Sequence, residues 1–179
     1  MMDPKSLLRW LYLTLVTRII RVYIIFKYDK KEQTKIRPKH DLNILFLCLG
    51  NISRSPFAER QLIQKLDTNY RKITIQSAGF LDKEGRKSPA FAREIAKMWD
   101  IDLTDHRSRR VSKDMVKNSD LIFIMDSRNY YEFMRRFPQY IDKVEFLGKY
   151  NNGVEIEIPD PHGKSKKQFC LVYSDISDS

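Results

Sequence analysis

Residues 43–56 read Asn-Ile-Leu-Phe-Leu-Cys-Leu-Gly-Asn-Ile-Ser-Arg-Ser-Pro. The run Asn43–Cys48 is short and continuously apolar, the pattern of a strand buried on both faces. Ser55 is placed to cap, and Pro56 to open, a helix running to Lys65 with Phe57, Ala58, Leu62 and Ile63 on its core side. A buried strand that passes through a polar turn into a helix is the first half of a strand–helix–strand unit. It points to an α/β fold.

Outward from this stretch the pattern repeats. Ile73–Ser77 predicts a second strand, ended by Ala78-Gly79, and Ser88-Pro89 open a helix to about Trp99. Ser112 caps a short helix to Asn118, Leu121–Met125 forms a third buried strand, and a helix follows near Arg128–Phe137. Val144–Leu147 is the fourth strand, and Ser165 caps a last helix to Ile176. Strands separated by single helices predict a four-stranded parallel sheet flanked by helices on both faces. Such sheets bind ligands outside the carboxyl ends of their strands, so the turns that follow the strands are where chemistry is expected.

The turn after the first strand suits a phosphoryl group. The backbone N–H groups of Leu49, Gly50, Asn51, Ile52, Ser53 and Arg54 can curl into an anion-binding nest. The helix beyond aims its positive end at the same point. Gly50 and Asn51 tolerate the positive φ that such a curl requires. Arg54 offers a planar fork to two phosphate oxygens. The same surroundings stabilise a thiolate nucleophile on Cys48, with Ser55 as a hydroxyl donor to the sulfur. A cysteine ending a strand also fits simple burial; the Gly, Asn, Ser and Pro in supporting places favour the phosphoryl reading.

Attack on a phosphoester needs a proton donor for the leaving oxygen. Asp160, held between Pro159 and Pro161 in the loop after the fourth strand, falls on the same sheet edge in a stiff, extended backbone. Alone it reads as an ordinary turn aspartate. Paired with the cysteine turn it reads as a general acid.

CLGNISRSP at 48–56, SAG at 77–79, DHRSRR at 105–110, LIFIMD at 121–126 and DPHG at 160–163 together resemble the low-molecular-weight protein tyrosine phosphatases, over roughly residues 42–176. The resemblance implies that Cys48 forms a phosphocysteine, that Arg54 binds the phosphoryl group, and that Asp160 protonates the leaving group and then activates water. It also implies that Asn51 is held strained by His106, which without the resemblance reads as a surface histidine. Ser53 stands where many relatives carry a second cysteine, so a protective disulfide to Cys48 is not expected and overoxidation is. His162 replaces a usual tyrosine of the cleft wall. The loop Phe80–Ser88 resembles a bacterial subgroup linked to exopolysaccharide export, which implies a tyrosine-phosphorylated membrane kinase as partner. The chain stops at Ser179, giving a last helix shorter than the family's usual one.

Two readings compete with hydrolysis. An arsenate reductase of the same fold needs further cysteines near residues 71–110, and the other cysteine of the chain, Cys170, lies in the last helix. A membrane-recruited module that binds phosphotyrosine with little turnover would keep the loop and lose the chemistry.

The chain of 179 residues carries a net charge of +10, of which residues 1–40 supply +7 and the remainder +3. That divides it into a basic extension, 1–40, and a phosphatase domain, 41–179. Fifteen of the twenty residues 7–26 are apolar or aromatic, long enough to span a bilayer, yet Arg18 and Arg21 interrupt the run. At ~100° per residue, Thr14, Thr17, Arg18 and Arg21 share one sector, which predicts an amphipathic helix lying on an anionic membrane surface through residues 1–28. Packing on the body, on a partner or on itself is the plainer alternative. Residues 28–40 read as a polar linker.

No nucleic-acid-binding fold accompanies the charge. The two cysteines and three histidines show no metal-ligand spacing. The expectation is therefore a cytoplasmic enzyme without metal or other cofactor, peripheral on the inner face of the membrane.

Overall fold

The first strand, β1 (Leu42–Cys48), sends alternate side chains to opposite sides, as a pleated strand must. Ile44, Phe46 and Cys48 enter one apolar cluster, and Leu45 and Leu47 enter another. β3 (Leu121–Ile124) divides the same way, with Leu121 and Phe123 on the first side and Ile122 and Ile124 on the second. Both faces of the sheet are thus buried, and the chain reads there as continuous hydrophobic runs.

In this computed structural model the described residues are 8, 11–12, 14–20, 22, 41–66, 73–151 and 156–179. β2 (Ile73–Gly79) and β4 (Val144–Phe146) complete a sheet of order β2-β1-β3-β4, every pair parallel. The helices α1 (Arg54–Lys65), α2 (Ala90–Ala96) and α5 (Lys166–Ser177) cover the first face through Phe57, Ile95, Val172 and Tyr173. On the second face, α3 (Lys113–Asn118) and α4 (Ser127–Arg136) contribute Val116, Tyr130 and Phe133. The strand order reverses between β1 and β3, and a crevice opens beyond their carboxyl ends.

The expected boundaries hold with local corrections. α1 begins at Arg54, with Ser53 in the N-cap position and no side-chain cap. Ser55 therefore does not cap; its hydroxyl contacts Cys48 instead. Ile63 is exposed and Gln61 takes the buried place, its amide donating to Ser177 Oγ. Pro89, not Ser88, precedes α2, which tightens into a 3-10 turn at Lys97–Trp99 and stops at the left-handed Asp100. α4 starts one residue earlier than expected because Asp126 caps it, accepting from the N–H of Asn129. α5 carries the capping box that Ser165 and Gln168 allow.

Residues 8, 11–12, 14–20 and 22 are helical. Their outward face carries Leu8, Leu11, Leu15, Ile19 and Val22, all about half exposed or more. Contrary to the expected polar sector, Thr14 and Thr17 are half-buried, and Ile20 packs against the second apolar cluster. The Thr17 hydroxyl donates to Thr14 O, which removes its need for water. The rest of the expected helix and the linker 28–40 lie outside the described residues.

Phe57 joins α1 to α5. It is fully buried, and its ring stacks on Tyr173 with centroids 3.9 Å apart. Phe57→Ala is expected to lower the unfolding free energy by about 3–5 kcal/mol, read from denaturant titration, because the rigid sheet and helix cannot close over the space.

Candidate active site

The turn from β1 into α1 is shaped by what holds its carbonyls. Cys48 O and Leu49 O accept from the Phe80 N–H, and Leu49 O also accepts from Leu81. Gly50 O accepts from Arg86 Nη2 at 2.6 Å, and Asn51 O from His106 Nε2 at 2.7 Å. Ser53 O accepts from the Phe57 N–H and, at 3.5 Å, from the Tyr173 hydroxyl. In a planar trans peptide the C=O and the following N–H point opposite ways. Carbonyls tied outward therefore aim the N–H groups of Gly50, Asn51, Ile52 and Arg54 into the loop. The Asn51 N–H does point at Cys48 Sγ, 3.2 Å away. An inward ring of amides is an anion nest.

Two residues make this curl possible. Asn51 sits at φ +50°, in the left-handed region, as the sequence suggested for that residue type. Gly50 does not need positive φ. The glycine the fold requires is Gly79 at the end of β2, where a Cβ would lie 2.9 Å from both Asn51 N and Gly50 C.

Asn51 is fully buried, and its side chain is saturated. Its Nδ2 donates to Ser55 Oγ at 3.0 Å and to Ser77 Oγ at 2.9 Å, while its Oδ1 accepts from the Arg109 N–H. Ser77 passes its own proton to Glu59. Ser55 Oγ accepts from Asn51 and lies 3.0 Å from Cys48 Sγ and 3.5 Å from Ala78 O; towards a thiolate the hydroxyl is the donor. Once the sulfur is a thiolate, the Ser55 hydroxyl and the Asn51 N–H are both placed to donate to it.

His106 donates through Nε2, since a carbonyl can only accept, so its tautomer is set. Burial holds its pKa below the ordinary histidine value; the bond to Asn51 and the charge of Glu59 oppose that shift without overcoming it.

Arg54 is almost wholly buried. Its Nη1 donates to Asp126 Oδ2 at 2.5 Å and to Ile158 O at 2.9 Å, and its Nη2 lies 3.2 Å from Asp160 Oδ2. Burial pulls the guanidinium pKa down, but the negative charges of Asp126, Cys48 and Asp160 outweigh it, and the group is held above its ordinary value. The loop that carries Asp160 is tied to the end of β3, the Ile158 N–H donating to Met125 O and the Glu157 carboxylate accepting from the Ser127 N–H. Asp160 remains two-fifths exposed, and its Oδ1 accepts from the His162 N–H.

The structure therefore brings Cys48, Arg54 and Asp160 to one cleft, with Leu49, Gly50, Ile52, Ser53, His162 and Phe169 in its lining and the fully buried Ser55 behind the Cys48 sulfur. The Ser53 side chain turns away, to the Tyr173 hydroxyl at 3.3 Å. Tyr173 is buried, which raises its pKa above the ordinary tyrosine value. Sequence reasoning missed Asp126, Tyr173, Glu59, Ser77 and Arg86. Asp126 had a signal, as the residue that follows a buried strand at the sheet's carboxyl edge. The others come together only through packing.

Among the described residues no cluster of His, Cys, Asp and Glu could hold a metal.

The profile of the family described as low molecular weight phosphotyrosine protein phosphatase matches residues 43–179. The low molecular weight protein-tyrosine-phosphatase Wzb of Escherichia coli K12 is 36% identical over 132 residues, which cover 74% of this chain and 86% of that protein. The crystal structure of the Erwinia amylovora tyrosine phosphatase AmsI superposes with a TM-score of 0.67 at 34% identity, over 75% of this chain and 85% of that one. Vibrio vulnificus Wzb, solved in complex with benzylphosphonate, gives a TM-score of 0.66 at 32% identity, over 76% and 92% of the two chains.

The depressed His106 pKa has a sign. Between the folded and unfolded values the unfolded chain binds the extra proton, so stability is fully present above about pH 6.5 and falls as the pH drops below it. In urea titrations at stepped pH, the stability advantage of wild type over His106→Gln is expected to shrink as the pH falls from 7.5 to 5.

Proposed function

The chain belongs to the low-molecular-weight phosphotyrosine protein phosphatase family, and from that premise we propose that Cys48, Arg54 and Asp160 carry out its hydrolysis of aryl phosphate monoesters on proteins. The observation that carries the assignment is the Arg54 guanidinium, which faces the nucleophile's loop while its outer nitrogen pairs with Asp160.

In the first step Cys48 Sγ attacks phosphorus in line and the bond to the aryl oxygen breaks. Asp160, displaced from Arg54 by the substrate and protonated from solvent, gives its proton to the departing aryl oxygen, which leaves as the phenol. The inward amides and Arg54 stabilise the charge on the three equatorial oxygens. Arg54 Nη2 does this as it exchanges Asp160 for phosphoryl oxygens, whereas the Nη1 bonds to Asp126 and Ile158 O hold the fork in plane. Substrate entry thus frees Asp160 as it occupies Arg54. In the second step a water attacks the phosphocysteine, Asp160 takes its proton, and sulfur leaves as a thiolate stabilised by the Ser55 hydroxyl and the Asn51 N–H. Benzylphosphonate, seen bound to a relative, has the aryl-and-phosphoryl shape this cleft would take.

Cys48→Ser is expected to abolish phosphate release from a phosphotyrosine peptide. Asp160→Ala is expected to slow it by about 10²–10⁴-fold. The loss should be smaller with p-nitrophenyl phosphate, whose leaving group departs without a proton. An unchanged rate in Cys48→Ser overturns the assignment. Retention of phosphopeptide by the wild type with no phosphate released would make the chain a binding module.

The proposal extends to the division of labour along the chain, with residues 41–179 as the phosphatase domain and 1–40 as a recruiting extension. No helix of the described residues is long and apolar enough to cross a membrane. The outward stripe Leu8, Leu11, Leu15, Ile19 and Val22, with Arg18 exposed beside it and a net charge of +7 over residues 1–40, supports binding to an anionic lipid surface. Recruitment there would set the enzyme at the cytoplasmic face, within reach of a tyrosine-phosphorylated membrane kinase.

The full chain is expected to cosediment with vesicles containing phosphatidylserine, less so as salt rises and hardly at all with neutral vesicles. Equal binding after deletion of residues 1–40 would remove the extension from this role.

A further inference from the structure

Arg86 lines the mouth of the cleft, and beyond its bond to Gly50 O, which helps shape the nest, the two-step chemistry makes no use of its charge. Its surroundings fix it more firmly than a surface arginine needs. The Gly85 N–H donates to Ser108 O, the Arg86 N–H to Ser108 Oγ, the Ser108 N–H to Arg86 O, and Ser108 Oγ to Lys83 O. Ser108 is buried, and Gly85 at φ +72° supplies the turn, so residues 83–86 are clamped to the 105–110 segment by four hydrogen bonds. The side chain is fixed as well, with Nε donating to Lys83 O at 3.2 Å and Nη2 to Gly50 O at 2.6 Å. Both acceptors are neutral carbonyls.

Among the described residues no carboxylate pairs with this charge. The two acidic residues that precede Arg86 in the loop are taken by a different arginine: Asp82 accepts from Arg110 Nη1, and Glu84 accepts from the Arg110 N–H. Asp160 is the one acidic side chain among the described residues lining the cleft, and it pairs with Arg54. Arg54 itself faces two carboxylates, so the cleft floor offers no surplus positive charge to a group beyond the phosphoryl. The rim does. Arg86 lines it together with Leu81, Pro89, Phe169 and His162.

We propose that Arg86 forms a preorganised anion subsite at the cleft mouth that selects phosphotyrosine substrates with a carboxylate side chain flanking the phosphotyrosine. The inference rests on the phosphatase reading of the floor and names the class of substrate that floor is given. An aryl phosphate seated on the amide nest leaves the polypeptide carrying it at the rim. A glutamate beside the tyrosine then meets a planar fork whose Nη1 makes no hydrogen bond among the described residues. Because the fork is already ordered, little side-chain entropy is lost on contact.

The test compares kcat/KM for phosphotyrosine peptides that differ only in Glu or Gln at the flanking positions, in wild type, Arg86→Lys, Arg86→Met and Arg86→Glu. Substitution also removes the bond to Gly50 O, so the quantity read is the Glu-to-Gln ratio, from which any loss of loop support cancels. In wild type at low salt the ratio is expected to be about 3–5, the range of a half-exposed ion pair, and to decline with added salt. It should survive in part in Arg86→Lys, fall to about one in Arg86→Met, and invert in Arg86→Glu. A wild-type ratio of one, or a ratio unchanged in Arg86→Met and Arg86→Glu, overturns the subsite while leaving the roles of Cys48 and Asp160 intact. Failure of the wild type to hydrolyse any peptide overturns both.

Discussion

The site depends on carbonyl groups being held away from it. An amide nest for a dianion requires several N–H groups to converge, and the peptide plane makes that equivalent to anchoring the carbonyls behind them. Here the anchors come from five places: the backbone after β2, Arg86, His106, the first turn of α1 and Tyr173 of α5. They share no local sequence, and each is positioned by a different part of the fold. This is why a seven-residue turn needs a whole sheet and its helices around it. It is also why Gly79, which is not among the residues lining the cleft, is confined to the smallest residue by the backbone of Gly50 and Asn51.

Arg54 faces the converse problem. A buried guanidinium is unfavourable unless its donors are met, and before substrate arrives they are met by Asp126, Ile158 O and Asp160. The two inner partners are permanent, because Asp126 also caps α4 and Ile158 is bonded to Met125. The outer one is on a two-fifths exposed side chain and exchangeable. In the proposed mechanism the arrangement lets one residue be both a structural post and a ligand for phosphate, with the general acid kept beside it until needed.

Much of this could be read in the sequence, for a physical reason. The continuous apolar runs at 43–48 and 121–125 are what burial on both faces demands, and a Cys, Gly, Asn, Ser, Arg and Pro turn between strand and helix leaves few chemistries open. The four strands, their parallel order and the meeting of Cys48 with Asp160 follow from those local patterns together with the edge rule for α/β sheets. The helix starts were less legible. Ser55 looks like a cap, but the hydroxyl is drawn to sulfur, and the helix begins one residue earlier around Arg54. In the described part of the 8–22 segment Arg18 is exposed while Thr14 and Thr17, placed in the same polar sector by their angular spacing, are half-buried, the Thr17 hydroxyl being bonded to its own helix. Glu59, Ser77 and Tyr173 were illegible, since each acts through a partner 18 residues or more away in sequence.

The aromatic stack behind the loop has one more consequence. Trp99 meets the rings of both Phe57 and Tyr173 edge-on, at 5.7 and 6.3 Å, and the Tyr173 hydroxyl touches Ser53 in the turn that would receive the phosphoryl group. The chain has two tryptophans, and Trp10 belongs to the extension. The indole of Trp99 is therefore a built-in optical sensor one ring removed from the reaction centre, whose emission would follow filling and emptying of the loop without any attached dye.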